Sequence, residues 1–118
     1  MNIFIALKYL EICDNIRVTT ADNGESALRE FARSDYDIIL TDANMPIMDG
    51  YRFTGKVRNG FSIPKSGVPI ILLTAEATTH EGLARVGIDA CLLKPFTRND
   101  LYKVIYEEML RHQTTQIH

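Results

Sequence analysis

The sequence predicts an α/β fold, a doubly wound parallel sheet with helices on both of its faces. Two short apolar runs, Asp37-Ile38-Ile39-Leu40-Thr41-Asp42 and Pro69-Ile70-Ile71-Leu72-Leu73-Thr74, read as strands buried on two sides. Helix-like stretches with an apolar stripe separate the strand candidates, and that alternation builds βαβ units. No repeat, linker or low-complexity segment interrupts the pattern, so one domain over residues 1–112 is expected, with 113–118 a polar, fraying tail.

The elements follow in order. Met1–Ile12 reads as a helix, with Ile5, Leu7, Leu10 and Ile12 among its apolar residues and no strand before it. Arg17–Thr20 is a weaker strand. Asp22-Asn23-Gly24 makes an entry turn into a helix over Glu25–Arg33, which sets Ala27, Leu28, Phe31 and Ala32 on one face. After the strand ending at Asp42 comes a Pro/Gly-rich loop and a helix over Gly50–Arg58. The strand ending at Thr74 leads to a helix over Thr79–Val86, which Gly87 stops. Ala90–Leu93 is a second weaker strand. Thr97-Arg98-Asn99-Asp100 resembles a capping box and opens a last helix, whose buried stripe is Leu101, Val104, Ile105 and Met109.

Composition narrows the function classes. Apolar residues make up 46% of the 118, ordinary for a globular protein and too many for a disordered tail. Thirteen basic and 15 acidic side chains leave a net charge of −2 without long like-sign runs, so no basic stripe for nucleic acid and no polybasic membrane patch is present. No apolar run approaches the roughly 18 residues of a membrane span. The opening residues make a poor signal peptide, and a cytoplasmic location follows. Cys13 and Cys91 then read as reduced, packed thiols. His80, His112 and His118 have no ligand spacing and read as surface residues.

In a parallel doubly wound sheet the ligand crevice lies beyond the carboxyl ends of the strands. Asp42, Thr74 and Lys94 each fall at or just past such an end. A carboxylate there can act as nucleophile on phosphorus. An ammonium offsets charge on the transferring group, and a hydroxyl donates a hydrogen bond to it. Any one of the three alone reads as a turn cap, a strand end or a surface charge; together they describe a phosphoryl site.

Asp42-Ala43-Asn44-Met45-Pro46-Ile47-Met48-Asp49-Gly50 resembles the phosphoacceptor loop of response-regulator receiver domains. Ile70 to Ala75 resembles that family's fourth strand with its switch threonine, and Gly87 to Phe96 its fifth strand with a Lys-Pro step. Asp22 to Leu28 matches the usual entry to the second helix, and the helix at the front is closest in style to receivers of hybrid sensor kinases. The resemblance covers nearly the whole chain and implies the flavodoxin-like receiver fold. It implies that Asp42 accepts a phosphoryl group from a histidine kinase or a histidine phosphotransfer protein. Lys94 would contact the phosphate and Thr74 would bond it after transfer. Asp42 and the Asn44 carbonyl would ligate Mg²⁺, and Lys94-Pro95 would be cis. Met45, Pro46, Asp49 and Gly50 look structural, Gly50 through a backbone conformation other residues resist.

Three departures qualify this. The family's first strand and the acidic pair behind it have no counterpart, and the pair would fall before Met1. Glu11 and Asp14, the nearest acids, lie at the far end of the first helix. Weak Mg²⁺ binding and weak phosphotransfer follow, because Mg²⁺ requires a near-octahedral oxygen set. The lost strand is central in the family's 2-1-3-4-5 order, so open edges favour a homo-oligomer or strand-swapped dimer. Cys91 stands where receivers usually place an aromatic lever, and reads as core filling. The chain is therefore at most a self-phosphorylating phosphoacceptor. The alternative is a non-phosphorylated pseudo-receiver that acts through its surfaces. An aspartyl phosphatase would need an acid at Asn44, which is absent.

Overall fold

A computed structural model gives the architecture of residues 19–44, 48–76 and 80–116, without the side chains of 80 and 112–116. In chain order the elements are α1 (Gly24–Arg33), β1 (Ile39–Asp42), α2 (Gly50–Gly60), a 3₁₀ turn (Lys65–Gly67), β2 (Ile70–Thr74), α3 (His80–Val86), β3 (Ala90–Leu93) and α4 (Arg98–Gln116). The three strands form one parallel sheet in the order β1-β2-β3, with Ile39 opposite Ile70 and Ile71 opposite Ala90.

β2 is buried along its whole length. Successive side chains of a strand point to opposite faces, so its residues feed two cores. Ile70 and Leu72 join Phe31 of α1, Phe53 and Val57 of α2, and Leu83 of α3. Ile71 and Leu73 join Leu40, with Leu101 and Ile105 of α4. Helices therefore cover both faces, as the run of apolar residues in β2 required. The strand starts after Pro69, which has no N–H for the ladder but whose carbonyl accepts from Ile39 N–H at 2.9 Å.

Local chemistry sets the helix ends. Asn23 Oδ1 accepts from Ser26 N–H at 2.9 Å and Asp49 Oδ1 from Arg52 N–H at 2.8 Å, each an N-cap bond. The capping box before α4 is reciprocal: Thr97 N–H donates to Asp100 Oδ2 at 3.0 Å and Asp100 N–H to Thr97 Oγ1 at 3.1 Å. Gly87 ends α3 at φ +93°, where its N–H and that of Ile88 return to the Leu83 carbonyl.

The structure corrects several expectations. Ala32 is exposed, because α1 packs along Gly24, Leu28 and Phe31, and Ala32 lies about 100° around the helix from Phe31. α4 continues to Gln116 through the stretch read as tail, and α2 runs two residues beyond Arg58. Of Arg17–Thr20 only Thr19 and Thr20 are described, and neither joins the sheet. The first helix, with Glu11, Cys13 and Asp14, lies outside the described residues, as do Met45 and Pro46 of the loop. Lys94–Pro95 is cis as expected, and so is Ile63–Pro64, which was not foreseen.

At the amino end of the sheet, Arg58 of α2 ties three segments together. Its Nη1 donates to the carbonyls of Ser66 at 2.7 Å and Val68 at 2.6 Å, and its Nε and Nη2 to that of Gly87 at 2.9 and 2.7 Å. Nη2 also pairs with Asp89 Oδ2 at 2.8 Å, an oxygen that accepts Ile70 N–H at 2.8 Å. Burial lowers the guanidinium's pKa, and the Asp89 carboxylate opposes that shift.

Glu108 lies on the buried stripe of α4, one turn beyond Ile105 and only 4% exposed. Burial raises its pKa; Arg111, at 3.0 Å, opposes the shift, whereas Asp89 and Glu107 add to it. A carboxyl with a raised folded pKa contributes stability that is complete below its unfolded pKa and lost as pH rises through the folded value. Glu108→Gln should therefore match the parent in urea unfolding near pH 4 and become progressively more stable than it above the ordinary glutamate range of about 4.3. A constant difference across pH would contradict this. Leu101→Ala, at a site with no exposure, should cost about 2–5 kcal/mol in the same measurement.

Candidate functional site

The register builds the site. Asp42 ends β1 opposite Leu73, Thr74 ends β2 one residue further on, and Lys94 follows Leu93, the partner of Thr74. The three residues thus step across adjacent strands at the carboxyl edge. Neighbouring strands lie about 4.8 Å apart, so the long lysine side chain can reach back over β2 to β1. Its Nζ lies 3.1 Å from both Asp42 oxygens. Lys94 N–H holds the base of that reach, donating to the Thr74 carbonyl at 2.7 Å.

Asp42 is 2% exposed, and a carboxylate so buried must be paired and hydrogen-bonded. Lys94 supplies the charge and Asn44 N–H donates to Oδ1 at 3.1 Å. Thr74 is also buried, and its Oγ1 accepts from Glu76 N–H at 3.1 Å. That bond leaves the hydroxyl proton to donate elsewhere. Asn44 itself is exposed at the rim.

Gly50 has a different reason from the one its sequence suggested. Its φ is not in the left-handed region, which among the glycines described belongs to Gly87. A Cβ on Gly50 would instead collide with the Asp42 carbonyl oxygen. Its N–H donates to the Ala43 carbonyl at 3.2 Å, and its carbonyl accepts from Thr54 Oγ1 at 2.8 Å. The start of α2 is thereby pressed against the residue that carries the carboxylate. Met48 packs against the start of α1, with its Cβ 2.7 Å from where a Gly24 side chain would begin.

Among the described residues no group of three or more His, Cys, Asp or Glu side chains converges on a metal position. One carboxylate and one carbonyl fall short of the six oxygens Mg²⁺ takes, so the described residues do not fit the ion by themselves. The three histidine side chains lie outside the description. Cys91 is a free thiol, partly buried against the first core, and burial raises its pKa. Sequence reasoning missed the bond from Glu76 N–H to Thr74 Oγ1, an i to i+2 turn of a kind threonine makes locally, and the Gly50 collision, which the Asp-Gly step alone does not reveal.

A parallel sheet wrapped by helices, with an Asp–Lys pair and a threonine at its carboxyl edge, is the arrangement of a two-component receiver. A family model described as the response regulator receiver domain matches residues 2–106. The chain belongs to that family. It is 38% identical over 95 residues to "Sensor histidine kinase RcsC" of Salmonella typhi, covering 78% of this chain and 10% of the relative. It is 38% identical over 103 residues to "Sensor protein EvgS" of Escherichia coli K12, covering 85% and 8%. The chain thus spans a tenth or less of the length of each of these two relatives. Among solved structures, the receiver domain of the sensor histidine kinase PA1611 from Pseudomonas aeruginosa superposes with a TM-score of 0.78 at 32% identity, covering 92% of this chain and 88% of that one. That structure has a magnesium ion coordinated in its active-site cleft. No described helix is long and apolar enough to cross a membrane.

Gly50→Ala should destabilise the protein by about 1–3 kcal/mol, the range for overpacking. Gly55→Ala, where nothing lies within 4 Å of an added Cβ, should be neutral or stabilising by up to about 1 kcal/mol. Thermal unfolding of the two variants side by side checks the contrast.

Proposed function

We propose that this domain is a phosphoacceptor module of a two-component relay, with Asp42 as the nucleophile. The observation that carries the reading is the buried Asp42 carboxylate held at 3.1 Å by Lys94 on both oxygens. A carboxylate oxygen of Asp42 attacks phosphorus of a phosphohistidine, the new O–P bond forms as the P–N bond breaks, and the imidazole nitrogen keeps the electron pair. Lys94 balances charge on the equatorial oxygens, and the Thr74 hydroxyl donates to one of them after transfer. The donor is a histidine kinase or a histidine phosphotransfer protein, encountered in the cytoplasm.

Mg²⁺ is proposed as a weakly held cofactor, with Asp42 and the Asn44 carbonyl contributing two of its ligands. Assembly through the β1 edge, as a strand-swapped or otherwise paired dimer, belongs to the same proposal, and light scattering at the monomer mass would overturn it. A second reading is an interaction module that is never phosphorylated. It is favoured by one observation: among the described residues, no three acids converge at Asp42.

Incubation with an acyl phosphate and Mg²⁺, read by intact mass, separates the two readings. A gain of one phosphoryl group is expected, absent in Asp42→Asn. In Lys94→Ala the initial rate should fall by about 10²-fold or more, the usual effect of removing one charge-stabilising donor. No gain in the parent would favour the interaction module.

A further inference from the structure

We infer that Thr54 is a positioning residue for Asp42, acting through Gly50 and the Ala43–Asn44 peptide. Gly50, Phe53, Thr54 and Val57 form the buried stripe of α2. Thr54 has no exposure at all, and a hydroxyl in such a place costs desolvation that an apolar side chain avoids. Its Oγ1 donates to the Gly50 carbonyl at 2.8 Å, although that carbonyl already has the Thr54 N–H as its partner in the helical ladder. The hydroxyl is therefore not needed to satisfy the carbonyl. It adds a second hold on a residue with no side chain of its own to anchor it. On the more exposed side of the same turn, Asp49 caps Arg52 N–H at 2.8 Å. Thr54 is its counterpart on the buried side.

A single peptide unit joins this turn to the Asp42 carboxylate. Gly50 N–H donates to the Ala43 carbonyl at 3.2 Å, and the N–H at the other end of that unit, that of Asn44, donates to Asp42 Oδ1 at 3.1 Å. A peptide unit is planar, so its carbonyl and its N–H turn together. Both bonds lie at the long end of the usual range, and a small tilt breaks either of them. The Asp42 carbonyl oxygen also lies close against Gly50, so a shift of the glycine reaches Asp42 by a second route. Without the Thr54 hydroxyl the Gly50 carbonyl is free to tilt, and the carboxylate loses a donor that aims it. The effect on rate rests on Asp42 being the phosphoacceptor; the hold on Asn44 N–H does not.

The test compares the parent with Thr54→Val, which keeps the shape and loses the hydroxyl, and Thr54→Ser, which keeps the hydroxyl and loses a buried methyl. Three quantities are measured: the unfolding temperature, the exchange of the Asn44 and Gly50 amides with water by NMR, and the initial rate of phosphorylation by an acyl phosphate with Mg²⁺. Thr54→Val strands no polar group, so it should unfold at or near the parent temperature, and Thr54→Ser below it. Function should run in the opposite order. In Thr54→Val the Asn44 amide should exchange several-fold faster while the amides of β2 stay as in the parent. Its rate should fall roughly fivefold or more, a modest part of the loss of about 10²-fold that a misplacement near 1 Å brings. Thr54→Ser should restore both. The inference is overturned if Thr54→Val matches the parent in exchange or in rate, or if both quantities follow the unfolding temperature across the three proteins. If the parent takes up no phosphoryl group, the reading of Asp42 as phosphoacceptor falls, and Asn44 exchange alone then upholds or overturns the role of Thr54.

Discussion

Everything in this domain hangs on the two-sided burial of β2. Five consecutive buried residues leave the strand a single acceptable register, because a slip of one residue would exchange the two cores. Ile70 and Leu72 cannot take the places of Ile71 and Leu73 without refilling both layers. The same register decides which residues emerge at the carboxyl edge. Asp42, Thr74 and Lys94 meet there because β2 holds β1 and β3 at fixed offsets. Hydrophobic packing, indifferent to chemistry, thus places the chemistry.

The pair of Asp42 and Lys94 is a second constraint, and it works against comfort. A buried carboxylate is tolerable only while its partner stays, and removal of one member of such a pair typically costs about 3–5 kcal/mol. A group arriving at Asp42 must therefore share or replace the hold of Lys94. An incoming phosphoryl group carries acceptor oxygens of its own, so it can take over the ammonium without leaving it stranded. Thr74, with its oxygen already engaged by Glu76 N–H, has its proton left to offer such a group.

Much of the fold was legible because its signals are local and redundant. The strands ending at Asp42 and Thr74 announce themselves as unbroken apolar runs, Gly87 as a helix stop, and Thr97 with Asp100 as a capping box. The three site residues were legible as strand ends, so the rule for parallel sheets was enough to gather them. Much of what escaped depends on which side chains are buried and what they meet there. Arg58 bonds partners 8 to 31 residues away, and nothing in Val57-Arg58-Asn59 distinguishes it from a solvated arginine. Glu108 sits on a buried stripe where periodicity favours an apolar residue, and its partner Arg111 lies only one turn away. Gly50 was read as a backbone conformation when the real demand is the Asp42 carbonyl pressed against it.

The Arg58 junction has a consequence for how the domain tolerates change. Four of its five hydrogen bonds end on main-chain carbonyls, at Ser66, Val68 and Gly87. A carbonyl is the same whatever side chain its residue bears. These connections can therefore accept a new letter at Ser66 while keeping the junction, whereas Val68 is held by the core it fills and Gly87 by its positive φ. A residue added or removed would carry the acceptors out of reach of a rigid, planar guanidinium. The connections at the amino end of the sheet are thus measured in length more than in spelling.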